Sequence, residues 1–331
     1  ADLSMEAKSL TGIPPPKNEV EDDFDDSATE DEKLYDEDKK GLDDSDIEED
    51  SEEDDDDETE PVLKYQRLPA SVPEIAQKDS ISCFAAHEKF LVVGTEGGFI
   101  HLLDLNGNES IKLSPHAQRI NCLSLEQSGD YVASCSDDGR VVVTNLFSRQ
   151  AKTVKFNEKM SCVSLSPMYA SKPGFVAGNL KGELFINTKG FFGDSSRIIH
   201  SGEGAIGSVS WHGNYIAWSN ANGVKAINAI TKSPIAYISP PRDVIDLSKC
   251  RCNLVWFEDR KLLVGWGDCV QICQVETVGK KEIMKITSAF RTDYTICGLA
   301  PFSLQPPQPQ DLIGLLAYPR PPPPPSSFTE P

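Results

Sequence analysis

The chain has 331 residues, of which 39% are hydrophobic and 25% are charged, and its formal net charge is −20. Residues 1–60 contain 28 Asp and Glu against five Lys, a net charge of −23, so the remaining 271 residues carry a net charge of +3. This nearly neutral part has no long basic stripe, which argues against nucleic acid as the main ligand, because a phosphate backbone requires clustered Lys and Arg.

The nine cysteines are scattered without a disulfide framework. The acidic amino terminus lacks an apolar stretch, so we expect no secretory signal. Nor does the sequence contain a run of about 18 apolar residues, the length that a membrane-spanning helix requires. These features predict a cytoplasmic protein with free thiols.

Residues 1–60 are predicted to be a disordered acidic tail, since a run such as Glu48–Glu58 repels itself and has almost nothing apolar to bury. The tail could act as a solubilising segment or as a regulated one. Ser45 and Ser51 each have an acidic residue three positions later, the context that an acid-directed kinase prefers. These two serines are therefore possible phosphorylation sites.

Residues 61–318 contain a repeat in which a turn with glycine joins two short β-rich segments. The spacings between the turn glycines are 41, 43, 41 and 44 residues. Asp-Gly and Asn-Gly dipeptides, present at two of these turns, favour tight hairpins because both central residues accept positive φ. The hairpin glycines are Gly98, Gly139, Gly182, Gly223 and Gly267.

A further short segment precedes each hairpin and alternates small with large apolar residues, as in Ile120–Leu125 and Met160–Leu165. This alternation is typical of the crowded inner strands of a propeller, and a period near 40 residues is typical of its blades. The sequence thus predicts an all-β, WD40-like β-propeller of five four-stranded blades and the first strand of a sixth. We expect this ring to be incomplete, with Pro61–Lys78 as the candidate closing strand.

Residues 319–331 are predicted to be a proline-rich, disordered end. Such a segment could also dock on an aromatic groove of a partner.

Two motifs suggest ligands but lack the expected context. Gly202–Gly207 matches the dinucleotide-binding pattern G-x-G-x-x-G, which needs a following helix. Here strand-like residues follow, so we interpret the segment as a loop between blades.

Cys269 and Cys273 have the spacing of metal ligands, but four residues along a strand place them roughly 13 Å apart. We expect the following cysteines to be small buried side chains: Cys83, Cys122, Cys135, Cys162 and Cys297.

No sequence pattern assembles a nucleophile, a base and an oxyanion site. The acidic residues after Pro61 fall mainly in predicted turns, where polar residues are common. We therefore predict a binding module without catalytic residues, cofactor or metal.

Several motifs, in the order and spacing given below, resemble those of the vacuolar protein sorting-associated protein forty-one family, whose members are subunits of the HOPS tethering complex. The resemblance covers about residues 60–318. The motifs are Leu63–Arg67, Ser136–Gly139, His200–Gly204, Ile216–Asn220, Gly223–Lys225, Gly265–Gly267 and Gly298–Phe302.

The resemblance implies an amino-terminal WD40-like propeller that serves vesicle fusion at the late endosome, lysosome or vacuole, including protein transport to the vacuole. The implied partners are the other HOPS subunits, a late-endosomal Rab GTPase and the third adaptor protein complex. Family members also carry an α-solenoid and a RING-like zinc domain, for which this sequence shows no counterpart.

Two alternatives remain open from sequence. A WD40 scaffold of a nuclear or ribosome-biogenesis assembly would use the acidic tail to bind basic proteins. A propeller enzyme would need acidic or histidine side chains that converge on the channel.

Overall fold

The computed structural model describes residues 67–190, 193–242, 249–303 and 311–319. They form one short helix, α1 (Ser71–Lys78), and 22 strands in six antiparallel sheets. Blade one contains β1 (Ile81–His87), β2 (Phe90–Thr95), β3 (Ile100–Leu103) and β4 (Glu109–Leu113). Blade two contains β5 (Ile120–Leu125), β6 (Tyr131–Ser136), β7 (Arg140–Asn145) and β8 (Ala151–Lys155). Blade three contains β9 (Met160–Leu165), β10 (Gly174–Asn179), β11 (Leu184–Gly190) and β12 (Gly193–His200).

The remaining sheets continue the series. Blade four contains β13 (Ser208–His212), β14 (Tyr215–Asn220), β15 (Gly223–Asn228) and β16 (Pro234–Ile238). Blade five contains β17 (Asn253–Phe257), β18 (Lys261–Trp266), β19 (Cys269–Val278) and β20 (Lys281–Arg291). The sixth sheet pairs β21 (Tyr294–Ser303) with β22 (Asp311–Pro319).

Each four-stranded sheet is a meander whose strands a, b, c and d follow chain order. The a strands of successive sheets, β1, β5, β9, β13, β17 and β21, adjoin one another and form the inner wall. Strand direction alternates, so the b–c turns and the d–a connections lie on one face of the propeller, which we call the upper face. The a–b and c–d turns lie on the opposite, lower face.

The core lies between neighbouring blades, because both faces of a central strand are covered. Val92 and Ile100 of blade one pack against Ile120 and Val132 of blade two. Phe175 of blade three is 1% exposed and belongs to a cluster with residues of blade two. These contacts confirm the predicted all-β propeller fold. The sixth sheet has two described strands, so the expectation of a single strand there is wrong.

The expected closing strand over residues 61–78 is wrong for Ser71–Lys78, which form α1. Glu74 lies in the first turn and Lys78 in the last, where their charges complement the helix dipole. Ile75 is buried against Val93 and Leu103, which project from the side of blade one that faces away from blade two. Burying a side chain of this size contributes roughly 1.5–3 kcal/mol, so tertiary packing stabilises this two-turn helix.

The structure places Gly98, Gly139, Gly182 and Gly267 between the b and c strands of their blades and Gly223 as the first residue of the c strand of blade four, each at positive φ. Gly182 shows why glycine is needed. Its φ is +87°, and a Cβ at this position would overlap the backbone carbonyl oxygen of Gly204 in the following d–a connection. The hairpin tip therefore lies directly against the next connection, with no space for a side chain.

Candidate functional site: the upper face of the propeller

A set of ion pairs links the b–c turns, or the strand ends beside them, to the d–a connections or the strand ends that lead into them on the upper face. Partners are 22 or 23 residues apart in sequence, which is half a blade repeat. The pairs are Glu96–Arg119 (3.2 Å), Asp137–Lys159 (3.1 Å), Glu158–Lys181, Glu203–Lys225 and Asp268–Arg291 (3.2 Å). Apart from Asp268, whose side chain is 5% exposed, the paired side chains are exposed or half-buried, so their pairs contribute little to stability but neutralise local charge. The upper face is thus a rim of alternating, mutually paired charges.

The pairs explain most of the acidic residues that the sequence placed in turns. Glu96, Asp137 and Asp268 each pair with a base in or near the following connection. Sequence reasoning missed these partners, although a detectable signal existed: opposite charges recur at half the blade period. Glu183 instead accepts a hydrogen bond from Asn179 within its own turn.

Asp138 differs from these acids because it binds a buried histidine. Its carboxylate lies 3.1 Å from Nδ1 of His116, and Nε2 of this histidine lies 2.8 Å from the Ser134 hydroxyl. The His116 side chain is 0% exposed. Asp138 also accepts hydrogen bonds from Arg140 and the Ala117 backbone N–H. The network ties the connection between blades one and two to the hairpin of blade two.

Burial lowers the pKa of His116 below its ordinary value and outweighs the opposing effect of Asp138. Burial alone would raise the pKa of Asp138, but hydrogen bonds from Arg140 and Ala117 outweigh it and lower that pKa. The neutral imidazole therefore donates its Nδ1–H to a carboxylate near neutral pH.

We expect the melting temperature to fall as the pH decreases through the ordinary histidine pKa of about 6.5. The histidine of the unfolded chain then takes up a proton, whereas burial opposes protonation of His116 in the folded chain. Burial lowers the pKa of His200 in the same way. Thermal denaturation of the wild type and of His116→Gln between pH 8 and pH 5 measures this effect. The melting temperature of the variant should depend less on pH than that of the wild type. Equal slopes of melting temperature against pH for the two proteins would contradict the prediction.

Several strands of the inner wall carry cysteine thiols. Burial raises the pKa of Cys83 and of Cys162 to about 12, so these thiols remain neutral. Cys135 and Cys162 are buried as expected, whereas Cys83 and Cys122 are only partly buried. The expectation that Cys297 is buried is wrong: its side chain is exposed, with Sγ 3.1 Å from the Leu316 carbonyl oxygen. Within the described ranges, no three His, Cys, Asp or Glu side chains are close enough to hold a metal.

The segment Gly202–Gly207 connects β12 to β13, as the interpretation of a loop between blades predicted. Ile206 is fully buried against Gly178, and Glu203 pairs with Lys225. The loop thus packs at a blade interface and is not followed by a helix.

Cys269 and Cys273 both lie on β19. Ser45 and Ser51 lie outside the described residues.

Among the residues that the structure describes, no helix has the length and apolar character to span a bilayer.

Comparison with known proteins gives the family. A family model described as "Vps42 beta-propeller" (Beta-prop_Vps41) matches residues 63–321. A Solanum lycopersicum protein, "Vacuolar protein sorting-associated protein 41 homolog", is 36% identical over 78% of this chain and 28% of its own length. The Homo sapiens protein of the same name is 38% identical over 73% of this chain and 29% of its own length. The chain therefore spans under a third of these relatives.

Solved structures support the fold independently. The β-propeller domain of Myceliophteria thermophila Cps50 (Swd1) aligns with a TM-score of 0.55 at 16% identity, covering 65% of this chain and 74% of that chain. U3-55K aligns with a TM-score of 0.52 at 10% identity, covering 67% and 71%. At these identities the likeness concerns the fold alone. The family match, in contrast, covers the blades and their connections, and the chain belongs to the vacuolar protein sorting-associated protein 41 family through its β-propeller domain.

Proposed function

We propose that this chain is a non-catalytic interaction module in HOPS-mediated membrane tethering and vesicle fusion at the late endosome, lysosome or vacuole, including protein transport to the vacuole. Membership of the family carries this proposal, because the matched relatives are named for vacuolar protein sorting. The proposed partners are other HOPS subunits, a late-endosomal Rab GTPase and the third adaptor protein complex. The module reaches the membrane from the cytoplasm, peripherally and through these partners.

The upper face is the proposed partner surface. Its paired charges provide the polar rim that protein interfaces commonly have around an apolar centre. The hairpin of blade three adds an apolar anchor, Leu180, which is 54% exposed and lies next to the Glu158–Lys181 pair. A rigid ring that holds many turns on one face suits binding rather than turnover.

We expect Leu180→Asp to weaken partner binding by at least about tenfold, because it places a charge in the apolar centre of the interface. Proximity labelling with the full protein in cells should recover tethering subunits and a late-endosomal Rab GTPase from the wild type, and much less from the variant. The matched control is Leu105→Asp, since Leu105 is 53% exposed in a c–d turn of the opposite face.

Equal loss for both variants would show that the upper face has no special role. Recovery of nuclear or nucleolar proteins alone from the wild type would replace the tethering proposal by the nuclear scaffold alternative.

A further inference from the structure

Three cysteines occupy equivalent positions on the inner a strands of blades one, two and three. They are Cys83, Cys122 and Cys162. The residue before each cysteine is polar, and its side chain donates a hydrogen bond of 2.6–2.9 Å to a backbone carbonyl oxygen of the following blade or of the connection that leads to it. This repeated bond fixes the three cysteines at one level of the inner wall.

The residue opposite each cysteine on the neighbouring b strand differs between the blades. Cys83 and Cys162 each face a glycine, whereas Cys122 faces Cys135. Directly opposite residues of antiparallel strands have Cα atoms about 4.5 or 5.5 Å apart, and a disulfide spans about 4.4–6.8 Å. Both thiols of blade two project from one side of the sheet, because both pack in the core cluster between blades two and three. The backbone therefore already has the spacing of a cross-strand disulfide.

The two thiols of this pair differ in accessibility. Cys135 is 0% exposed, and burial raises its pKa well above the ordinary value, so its thiol stays protonated and shielded. Cys122 is only partly buried, and its strand borders the channel that the inner wall encloses. Its Sγ lies 3.6 Å from the Val163 carbonyl oxygen, which holds the sulfur at the interface with blade three. A small polar reagent in the channel therefore reaches Cys122 before Cys135.

A guanidinium group lies beside the accessible thiol. Arg251 belongs to the connection between blades four and five and is 130 residues from Asn121 in sequence, yet its Nη1 lies 3.5 Å from the Asn121 carbonyl oxygen. The side chain thus reaches across the channel to the residue before Cys122. Attraction to Cys122 is the largest of the effects that raise the pKa of Arg251, and a hydrogen bond between the two side chains contributes to it. A neighbouring cation favours the thiolate, which is the form that reacts with oxidants.

We propose that Cys122 is a site of oxidation by hydroperoxides and that Cys135 is its resolving partner, so that the product is a reversible cross-strand disulfide within blade two. The accessible thiol beside Arg251 meets the oxidant, and the shielded thiol opposite it completes the bond. The inference concerns a covalent modification of the channel wall. It is independent of the partners proposed for the upper face.

The reaction balances with one molecule of hydrogen peroxide. The Cys122 thiolate attacks one peroxide oxygen, the O–O bond breaks, an S–O bond forms, and the leaving hydroxide takes up the proton that the Cys122 thiol had released. The Cys135 sulfur then displaces the hydroxyl group of the sulfenic acid, and the Cys135 proton leaves with it as a second water. The two sulfurs lose two electrons, which the peroxide gains. Exchange with an added dithiol reduces the disulfide again.

The test treats the reduced full chain with hydrogen peroxide, labels the remaining thiols with N-ethylmaleimide under denaturing conditions, and maps the labels by mass spectrometry after trypsin digestion. One tryptic peptide, Ile120–Arg140, contains Cys122 and Cys135 and no other cysteine. We expect this peptide to lose both labels together with the mass of two hydrogen atoms, and dithiothreitol to restore both labels. Cys83 is the internal control, because it has the equivalent strand position but faces a glycine, and it should keep its label.

Two variants separate the roles of the neighbouring groups. Arg251→Gln should slow the oxidation of Cys122 by roughly tenfold, since it removes the cation that favours the thiolate. Arg251 is exposed, so this variant should keep the melting temperature of the wild type. Cys135→Ala should remove the resolving thiol and leave Cys122 as a sulfenic acid, which dimedone captures.

Three results would overturn the proposal. Oxidation of Cys122 might proceed no faster than that of Cys83, or at the same rate in Arg251→Gln as in the wild type. A disulfide between Cys122 and Cys162 would join Ile120–Arg140 to a second tryptic peptide, and it would show that Cys135 is not the resolving partner.

Discussion

Replacing Gly182 by alanine should lower the free energy of unfolding by roughly 2–5 kcal/mol. Roughly 1–2 kcal/mol arises because alanine at a φ of +87° brings its Cβ close to the following carbonyl oxygen. The remainder, about 1–3 kcal/mol, is the cost of displacing the backbone of Gly204, against which the new Cβ would lie. Urea denaturation of the full chain measures this difference.

Gly279→Ala is the matched control. Gly279 also has a positive φ, +61°, but no atom lies within 4 Å of a Cβ built there. This variant should therefore lose only the backbone contribution, about 1–2 kcal/mol. If both variants lost the same free energy of unfolding, the close approach of the hairpin to the next connection would not be the reason that position 182 requires glycine.

Asp138→Ala should lower the free energy of unfolding by about 3 kcal/mol, since removing one member of a buried polar pair leaves the other unsatisfied. The residue left behind is His116, whose side chain is fully buried and would lose the acceptor of its Nδ1–H. Arg140 and the Ala117 N–H would lose the same acceptor. Thermal and urea denaturation should agree on the loss.

The control for Asp138 is Glu96→Ala, which removes an acid from the hairpin of blade one. Glu96 pairs with Arg119, but its side chain is 52% exposed, so the loss should stay below about 1 kcal/mol. A similar loss for both variants would mean that the burial of His116 does not raise the free-energy cost of removing its hydrogen-bond acceptor.

Because the pKa of Asp138 is lowered, the contribution of this carboxylate to the free energy of unfolding should disappear as the pH falls well below 4.

The repeat was visible in sequence because each blade depends on local chemistry. A hairpin needs a residue that accepts positive φ, and an inner strand needs small side chains next to its neighbours. Gly139 and Ile120–Leu125 carried this information without knowledge of the partner strands. The all-β fold, the blade period and the family resemblance were therefore all available from the chain alone.

Tertiary structure decided what covers the free side of blade one. Ser71–Lys78 carry helix signals, with Pro73 and Glu74 in the first turn, yet the demand for a closing strand suggested an extended segment. A helix of eight residues is marginal by itself, so its formation depends on burying Ile75 against Val93. That surface exists only once blade one has folded.

The candidate surfaces also required the fold. The sequence identified acidic turn residues, but only the ring brings Asp137 to Lys159 and buries His116 against Asp138. Likewise, Arg251 and Asn121 are 130 residues apart in sequence, and only the ring brings the Arg251 guanidinium to the inner strand of blade two. Local propensity thus determined the blades, and the packing of one blade on the next determined which charges meet and which side chains remain exposed.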